Sequence, residues 1–208
     1  MPLGSECRLC AISEGKQTFG ISDIPFYEDE NFFAIPSIGS LIEGWSLIVP
    51  KKHALSLRQL YGTPDFEAFI SEVTCKITSI YGSAIIFEHG SSFEGSITNC
   101  GTNHAHLHIV PLPFSLRNDL NESGLSWQSI SSHDIAAVAN GKEYLFYCDN
   151  HNIAHATGLI HVLQHPISQF FRKLIAAKLG KSEISDYRKF LHLETSEITQ
   201  SRLTALTA

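Results

Sequence analysis

The sequence lacks the features that mark several classes of protein. Positive charge is in deficit, since 15 Lys and Arg residues face 21 Asp and Glu residues and give a formal net charge of −6, which argues against a large nucleic-acid-binding surface. No apolar run approaches the ~20 residues that a membrane helix requires. The opening stretch MPLGSECRLC has no basic segment followed by an apolar core, so we expect no secretory signal. These absences lead us to expect a cytoplasmic globular protein without a nucleic-acid or membrane partner.

Cysteine is sparse and odd in number. The 5 cysteines are Cys7, Cys10, Cys75, Cys100 and Cys148. Their count and scatter fit a reducing compartment better than a disulfide framework. The first two form a C-x-x-C, which is typical of a metal knuckle or of a redox pair. A redox pair fits poorly because no predicted strand leads into the motif.

Histidine, by contrast, is concentrated in one short stretch. NHAHLHIVP, residues 103–111, places an imidazole at every second position, and such alternation is typical of a half-buried strand. Successive side chains of a strand point to opposite faces. One face would therefore carry His104, His106 and His108. The other face, toward the core, would carry Ala105, Leu107 and Ile109.

A row of imidazoles suits phosphorus chemistry. A neutral imidazole is a nucleophile near pH 7, because its ordinary pKa is about 6.5, and its attack on phosphorus would form a phosphoramidate intermediate. The glycine-bearing loop of residues 90–101, which leads into the histidines, would supply backbone N–H donors to the phosphate. Two alternatives stay open on the residues alone, namely solvated surface histidines and a loose metal site.

Cysteine and histidine together also fit a zinc site. Structural zinc takes four Cys or His ligands, and its sites usually begin with a C-x-x-C. Cys7 and Cys10 would supply two ligands. His53 and His104 are candidates for the other two, because adjacent strands would bring them together. On the residues alone, the presence of a zinc site and its absence are equally well supported.

The order of predicted elements indicates an α+β fold. Strands come first, a long helix follows from an N-cap at Thr63 to Gly82, and strands then return. We therefore predict one unit at residues 1–113 and a C-terminal α/β extension at residues 114–208 that packs on it. Within the extension, SQFFRKLIA has a spacing that fits core packing as well as substrate binding.

Over about half of its length the sequence resembles the histidine-triad superfamily. HAHLHIV, residues 104–110, matches the family pattern of three histidines that alternate with apolar residues. FYEDENFFAIPSI followed by EGWSLIVPKKH is similar to the paired strands that form the family's nucleotide pocket. The resemblance runs from Cys7 to Pro113. It implies a HIT-like five-stranded antiparallel sheet with a long helix, a nucleotide substrate and a homodimer.

The resemblance also implies roles for the histidines. His106 would be the nucleophile, His108 would contact the phosphate and help the leaving group, and His104 would buttress the ring or bind metal. In zinc-bearing members a C-x-x-C and two histidines hold the ion, which implies a structural zinc here. Its ligands would be Cys7, Cys10, His53 and His104.

Three departures from the family pattern concern the nucleotide. Ser37 stands where an acidic residue often binds the ribose, Trp45 stands where a further histidine is common, and residues 100–103 replace a Gly-Gln-x-Val. We interpret Trp45 as a core aromatic. The candidate nucleotide contacts are Phe33, Ser37, Asn99, Gly101, Thr102 and Asn103.

The function expected from this resemblance is a nucleotide hydrolase that attacks the α-phosphate of a nucleoside phosphate or dinucleoside polyphosphate. One alternative is a nucleotidyltransferase or phosphorylase of the same superfamily, in which phosphate or a sugar phosphate takes the place of water. The other is a zinc-stabilised nucleotide-binding module with little catalysis, which the missing ribose acid at Ser37 and the altered loop at residues 100–103 favour.

Overall fold

Eight strands form one antiparallel sheet in the computed structural model, which describes residues 7–99, 102–149 and 156–206. The strands are β1 (Tyr27–Glu28), β2 (Phe32–Pro36), β3 (Ser46–Pro50), β4 (Ala84–Gly90), β5 (Leu107–Pro111), β6 (Gln128–Ser131), β7 (Tyr144–Cys148) and β8 (Thr157–Val162). Their order across the sheet is β1-β2-β3-β5-β4-β7-β8-β6. The first five in this order form the antiparallel sheet that the sequence predicts, and the α+β class is confirmed.

The helices of the described residues are α1 (Arg8–Ser13), α2 (Pro64–Tyr81), α3 (Arg117–Glu122), α4 (Ile135–Ala139), α5 (Phe170–Lys178) and α6 (Leu193–Thr204). The long predicted helix is α2, which begins at Pro64 and is ended by Gly82 at a φ of 83°. That left-handed conformation suits glycine because it has no Cβ. Within the described ranges, no helix is long and apolar enough to cross a membrane.

Side-chain alternation gives the sheet two different faces. One face is a single core, in which Ile48, Ile86 and Leu107 pack with apolar side chains of α2 and α6. The opposite face carries two smaller clusters. In one, α1 packs on β2 and β3, and in the other, α5 packs on β4 and β7. The middle of this face lies between the two clusters and holds the candidate site.

The C-terminal half continues the same sheet. β7 pairs with β4, where Phe87 lies opposite Tyr147, and β8 and β6 follow outward. Helix α6 packs back on the N-terminal half, where the Thr199 hydroxyl accepts a hydrogen bond from the Gly44 N–H at 2.9 Å. The sequence did not predict this helix because few of its buried side chains are apolar. They are Ser196, Thr199, Gln200 and Leu203.

Candidate active site

A cavity of about 300 Å³ opens on the sheet face between the clusters of α1 and α5. It is lined by Cys7, Arg8, Leu9, Ser37, Ile38, Trp45, Leu47, Phe87, His89, Thr102, Asn103, His106, His108, Arg172 and Tyr187. Two of these lining residues are arginines, and none of the described ones is an Asp or Glu. The charge of the wall therefore favours an anionic ligand.

The tautomer of His106 is set by the backbone. Its Nδ1 lies 2.9 Å from the carbonyl oxygen of His104, which can only accept a hydrogen bond, so Nδ1 carries the proton. Burial lowers the pKa of His106 below its ordinary value, which keeps the ring neutral at pH 7. The other nitrogen, Nε2, is left with a lone pair. His106 thus supplies a nucleophilic nitrogen at the cavity wall.

His108 has the opposite tautomer. The indole N–H of Trp45 donates to Nδ1 of His108 at 3.0 Å, so the proton of the neutral ring is on Nε2. Phe87 stacks on the same ring with the centroids 4.4 Å apart. Burial lowers the pKa of His108 well below its ordinary value. His108 is therefore a neutral hydrogen-bond donor that two aromatic neighbours hold in place.

The two imidazoles are neighbours with different chemical capacities. Their ring centroids are 4.8 Å apart, and both rings line the cavity. One ring can attack an electrophile, while the other can donate a hydrogen bond to an oxygen that gains negative charge. A phosphorus atom with its oxygens is an electrophile that needs both, so the pair suits displacement at a phosphate.

The predicted histidine strand is regular only in its second half. β5 begins at Leu107 rather than at Asn103. Ala105, Leu107 and Ile109 are in the core as the alternation predicts. The side chain of His104 is fully buried and does not line the cavity, so it reaches the site only through its carbonyl oxygen.

The imidazole of His104 belongs instead to a cluster with Cys7, Cys10 and His53, whose ligand atoms lie within 4.8 Å of one another. Its Nδ1 is 3.4 Å from the sulfur of each cysteine, and Nδ1 of His53 is 3.3 Å from that of Cys10. Tetrahedral zinc, with bonds of about 2.3 Å to sulfur and about 2.05 Å to nitrogen, would separate such ligands by about 3.6 Å. His104 donates its Nε2 proton to the Pro50 carbonyl oxygen at 2.8 Å, which leaves Nδ1 as the ligand atom. The donors and their spacing fit a tetrahedral metal ion.

No model of a known protein family matches the chain. Among solved structures, a hypothetical histidine triad nucleotide-binding protein from Sulfolobus tokodaii is 24% identical over 50% of this chain and 68% of its own, with a TM-score of 0.36. A zinc-bound histidine triad family protein from Mycobacterium smegmatis is 27% identical over 54% of this chain and 78% of its own, with a TM-score of 0.39. A HIT family protein from Bacillus anthracis is 19% identical over 58% of this chain and 94% of its own, with a TM-score of 0.40. The chain is similar to histidine-triad proteins, as its own motif predicts.

The six nucleotide contacts predicted from the histidine-triad resemblance have three different outcomes. Three of them line the cavity, namely Ser37, Thr102 and Asn103. Phe33 packs in the cluster under α1, and Asn99 is buried away from the lining. Gly101 lies outside the described residues.

Nine of the lining residues were not among the predicted site residues, and four of these nine, besides Arg8, have polar groups that bear on the chemistry of the cavity. Trp45, interpreted as a core aromatic, is buried but also bonds to His108. His89 lies two residues after Phe87 on β4, on the same face of the strand. A loose alignment of EHG, residues 88–90, with the histidine-triad pattern also indicates a contact between this segment and the phosphate. Arg172 and Tyr187 come from the C-terminal extension, and no local signal connects them with the histidines.

Proposed function

We propose that the chain is a nucleotide hydrolase that attacks the α-phosphate of a nucleoside phosphate or dinucleoside polyphosphate through His106. The observation that carries the proposal is the pair of opposite tautomers at His106 and His108, in a cavity whose described wall has arginines but no carboxylate. The resemblance of HAHLHIV to the histidine-triad superfamily supports the same assignment.

The reaction proceeds in two displacements. In the first, Nε2 of His106 forms a bond to the α-phosphorus while the bond from phosphorus to the leaving-group oxygen breaks, and the leaving group departs with that electron pair. The His104 carbonyl oxygen accepts from Nδ1 and stabilises the positive ring that results. In the second, a water oxygen bonds to phosphorus, the phosphorus–nitrogen bond breaks, and one water proton is released to solvent. His106 then has its lone pair again.

His108 stabilises the charge that moves onto the phosphate oxygens. Its Nε2–H is already oriented by Trp45 and Phe87, so little reorganisation is needed at the moment of reaction. Arg8 also reaches the wall, where the ion pair with buried Asp23 holds its guanidinium in place and offsets part of its charge.

We further propose that the ion bound by Cys7, Cys10, His53 and His104 is zinc in a structural role. When bound, the zinc supplies coordination bonds that fasten α1 to the chain that leads into β5. Two consequences follow for the site. Arg8 is held at the cavity wall beside Cys7, and His104 is held so that its carbonyl oxygen meets His106.

Turnover by a histidine variant tests the nucleophile. We expect the wild-type protein to hydrolyse at least one member of a panel of dinucleoside polyphosphates, nucleoside phosphoramidates and sugar nucleotides. His106→Ala should lower that rate by at least about 10³-fold, because loss of a nucleophile removes the covalent route. The matched control is His133→Ala, which removes an exposed imidazole outside the cavity.

The covalent intermediate provides a second readout. Intact-mass measurement after an alkaline quench should show one nucleotidyl group on the wild-type protein and none on His106→Ala. Near-normal turnover by His106→Ala would refute the proposal. A nucleoside diphosphate formed when inorganic phosphate is added would instead identify a transferase that uses the same nucleophile.

A further inference from the structure

We propose that Arg172 and His89 form a second anion subsite beside the reacting histidines, and that this subsite binds the phosphate next to the one attacked. The inference rests on the proposed function and deepens it. It assigns the substrate to the nucleoside phosphoanhydrides rather than to esters or amides of a single phosphate. It also gives the C-terminal extension a role in choosing the substrate.

Arg172 brings a permanent positive charge from α5 to the cavity. The residue is only 6% exposed, yet it lines the wall. Its guanidinium carbon lies 5.2 Å from the Trp45 ring centroid and 6.0 Å from that of Tyr187, and its Nε donates to the Ser185 carbonyl oxygen. Such contacts fix the plane of the guanidinium, and a planar fork of N–H donors matches the oxygens of a phosphate.

A glycine lets the backbone of the loop after β2 pass close to Arg172 and Tyr187. Gly39, in the loop after β2, has a φ of 75°, and its N–H donates to the carbonyl oxygen of Leu191. A Cβ at Gly39 would lie 2.6 Å from the Cβ of Tyr187 and 3.2 Å from Nη2 of Arg172. A side chain at this position would therefore push the arginine and the tyrosine from the wall.

The buried ring of His89 gives independent support for a ligand beside Arg172. It is 5% exposed and lines the cavity, and neither ring nitrogen has a hydrogen-bond partner among the described residues. Its ring packs beside those of Phe87 and Phe171, with centroid distances of 5.6 and 5.2 Å. Burial lowers the pKa of His89 to about 3, so the ring is neutral and keeps one N–H to donate. A buried imidazole without partners is costly, and an oxygen of a bound ligand would satisfy it.

Both residues adjoin the reacting pair. The ring centroids of His89 and His108 are 6.1 Å apart, and Trp45 contacts both His108 and Arg172. A cation and a neutral N–H donor together select an oxyanion. Sugar hydroxyls would be recognised better by a carboxylate acceptor, and the described wall has none. An adjacent phosphate of the substrate fits this set of groups.

Two substrates that differ only in the leaving group test the subsite. One is a nucleoside polyphosphate, and the other is the nitrophenyl ester of the same nucleoside monophosphate, which has a single phosphate. We expect Arg172→Gln to lower the ratio of kcat/KM for polyphosphate over ester by at least about tenfold, whereas Arg172→Lys should restore part of it. Lys173→Gln, which removes an exposed charge from the same helix, should leave the ratio unchanged. An unchanged ratio in Arg172→Gln would overturn the inference.

A variant of His89 distinguishes loss of the subsite from loss of the fold. His89→Phe keeps an aromatic ring in contact with Phe87 and Phe171 and removes two unpartnered nitrogens. We expect a higher melting temperature together with a lower polyphosphate-to-ester ratio. A higher melting temperature with the wild-type ratio would show that His89 plays no part in the subsite.

Binding without turnover separates this inference from the proposed function. If none of the nucleotides is hydrolysed, the proposed function fails, but the subsite is still tested by calorimetry with inorganic pyrophosphate and inorganic phosphate. The wild-type protein should bind pyrophosphate at least about tenfold more tightly, and Arg172→Gln should lose that preference. Equal affinities in the wild-type protein would overturn the subsite, and a preference for a dicarboxylate over pyrophosphate would do the same.

Discussion

Replacing Trp45 with phenylalanine should disable His108 without touching either histidine. The indole N–H is the group that holds the proton of His108 on Nε2, because it donates to Nδ1 at 3.0 Å. Phenylalanine keeps an aromatic ring for contact with Phe87 and Arg172 but has no donor. In the variant, His108 is free to carry its proton on Nδ1, and its Nε2 would then present a lone pair to the phosphate oxygens.

The size of the effect follows from the hydrogen bond that is lost. Leaving a buried acceptor without its donor costs about 1–3 kcal/mol. Since each 1.36 kcal/mol is about tenfold in rate, kcat/KM should fall by about 5- to 150-fold. Most of the loss should be in kcat, because the donation from His108 strengthens as charge develops on the phosphate oxygens. Trp45 is 1% exposed, so the smaller ring also leaves a gap and lowers the melting temperature.

The sequence contains a matched control. Its 2 tryptophans are Trp45 and Trp127, and Trp127 donates its indole N–H to the Ser123 hydroxyl at 3.2 Å, away from the cavity. Trp127→Phe should therefore lower stability while lowering kcat much less than Trp45→Phe does. Nitrogen-15 NMR of the imidazoles should show the His108 proton on Nε2 in the wild-type protein and a mixture in Trp45→Phe. A wild-type His108 protonated on Nδ1, or a Trp45→Phe enzyme with undiminished kcat, would refute the reasoning.

Two further predictions concern stability. Cys7→Ser should abolish stoichiometric zinc, measured by elemental analysis. Structural zinc contributes on the order of 10 kcal/mol to folding, and loss of about a third of this free energy would lower the melting temperature by about 7–13 °C. Replacement of the exposed Cys75 should change neither the zinc content nor the melting temperature. Burial raises the pKa of Glu88, so the folded chain binds the proton of this carboxyl group more tightly than the unfolded chain does. The free energy of unfolding therefore falls as pH rises from the ordinary pKa of 4.5 through the raised pKa. Glu88→Gln should flatten that decline in urea unfolding at about pH 4 and pH 7, and an equally steep decline would contradict it.

The parts of the fold that could be predicted are those with a local signal. The apolar spacing of α2 lies between a helix-starting proline at Pro64 and a helix-ending glycine at Gly82, and both bounds hold in the structure. The alternation of Leu107 and Ile109 with histidines placed them correctly in the core. Helix α6 had no such signal, since polar side chains such as Thr199 are buried in it by specific hydrogen bonds.

The residues of the candidate site also differ in whether a local sequence signal could predict them. His106 and His108 lie in one motif, so their proximity follows from two residues of separation. The residues alone made Cys7, Cys10, His53 and His104 candidate ligands, but only the family resemblance favoured a zinc site over its absence. The four residues are far apart in the chain, and the packing of α1 on β3 and the antiparallel pairing of β3 with β5 bring them near one another. Trp45 was interpreted as a core aromatic, and its burial agrees with that. The tautomer that it imposes depends on one cross-strand hydrogen bond, which composition and spacing do not encode.

The predicted boundary between residues 113 and 114 runs through the site rather than beside it. Phe87 stacks on His108 with centroids 4.4 Å apart and on Phe171 of α5 with centroids 4.6 Å apart. The Phe87 ring, which supports His108, is therefore itself supported by the C-terminal extension. The next residue of the same helix, Arg172, lines the cavity. A change in the extension can thus reach the histidines through one aromatic stack and can alter the charge of the cavity through one guanidinium, because both regions contribute strands to one sheet.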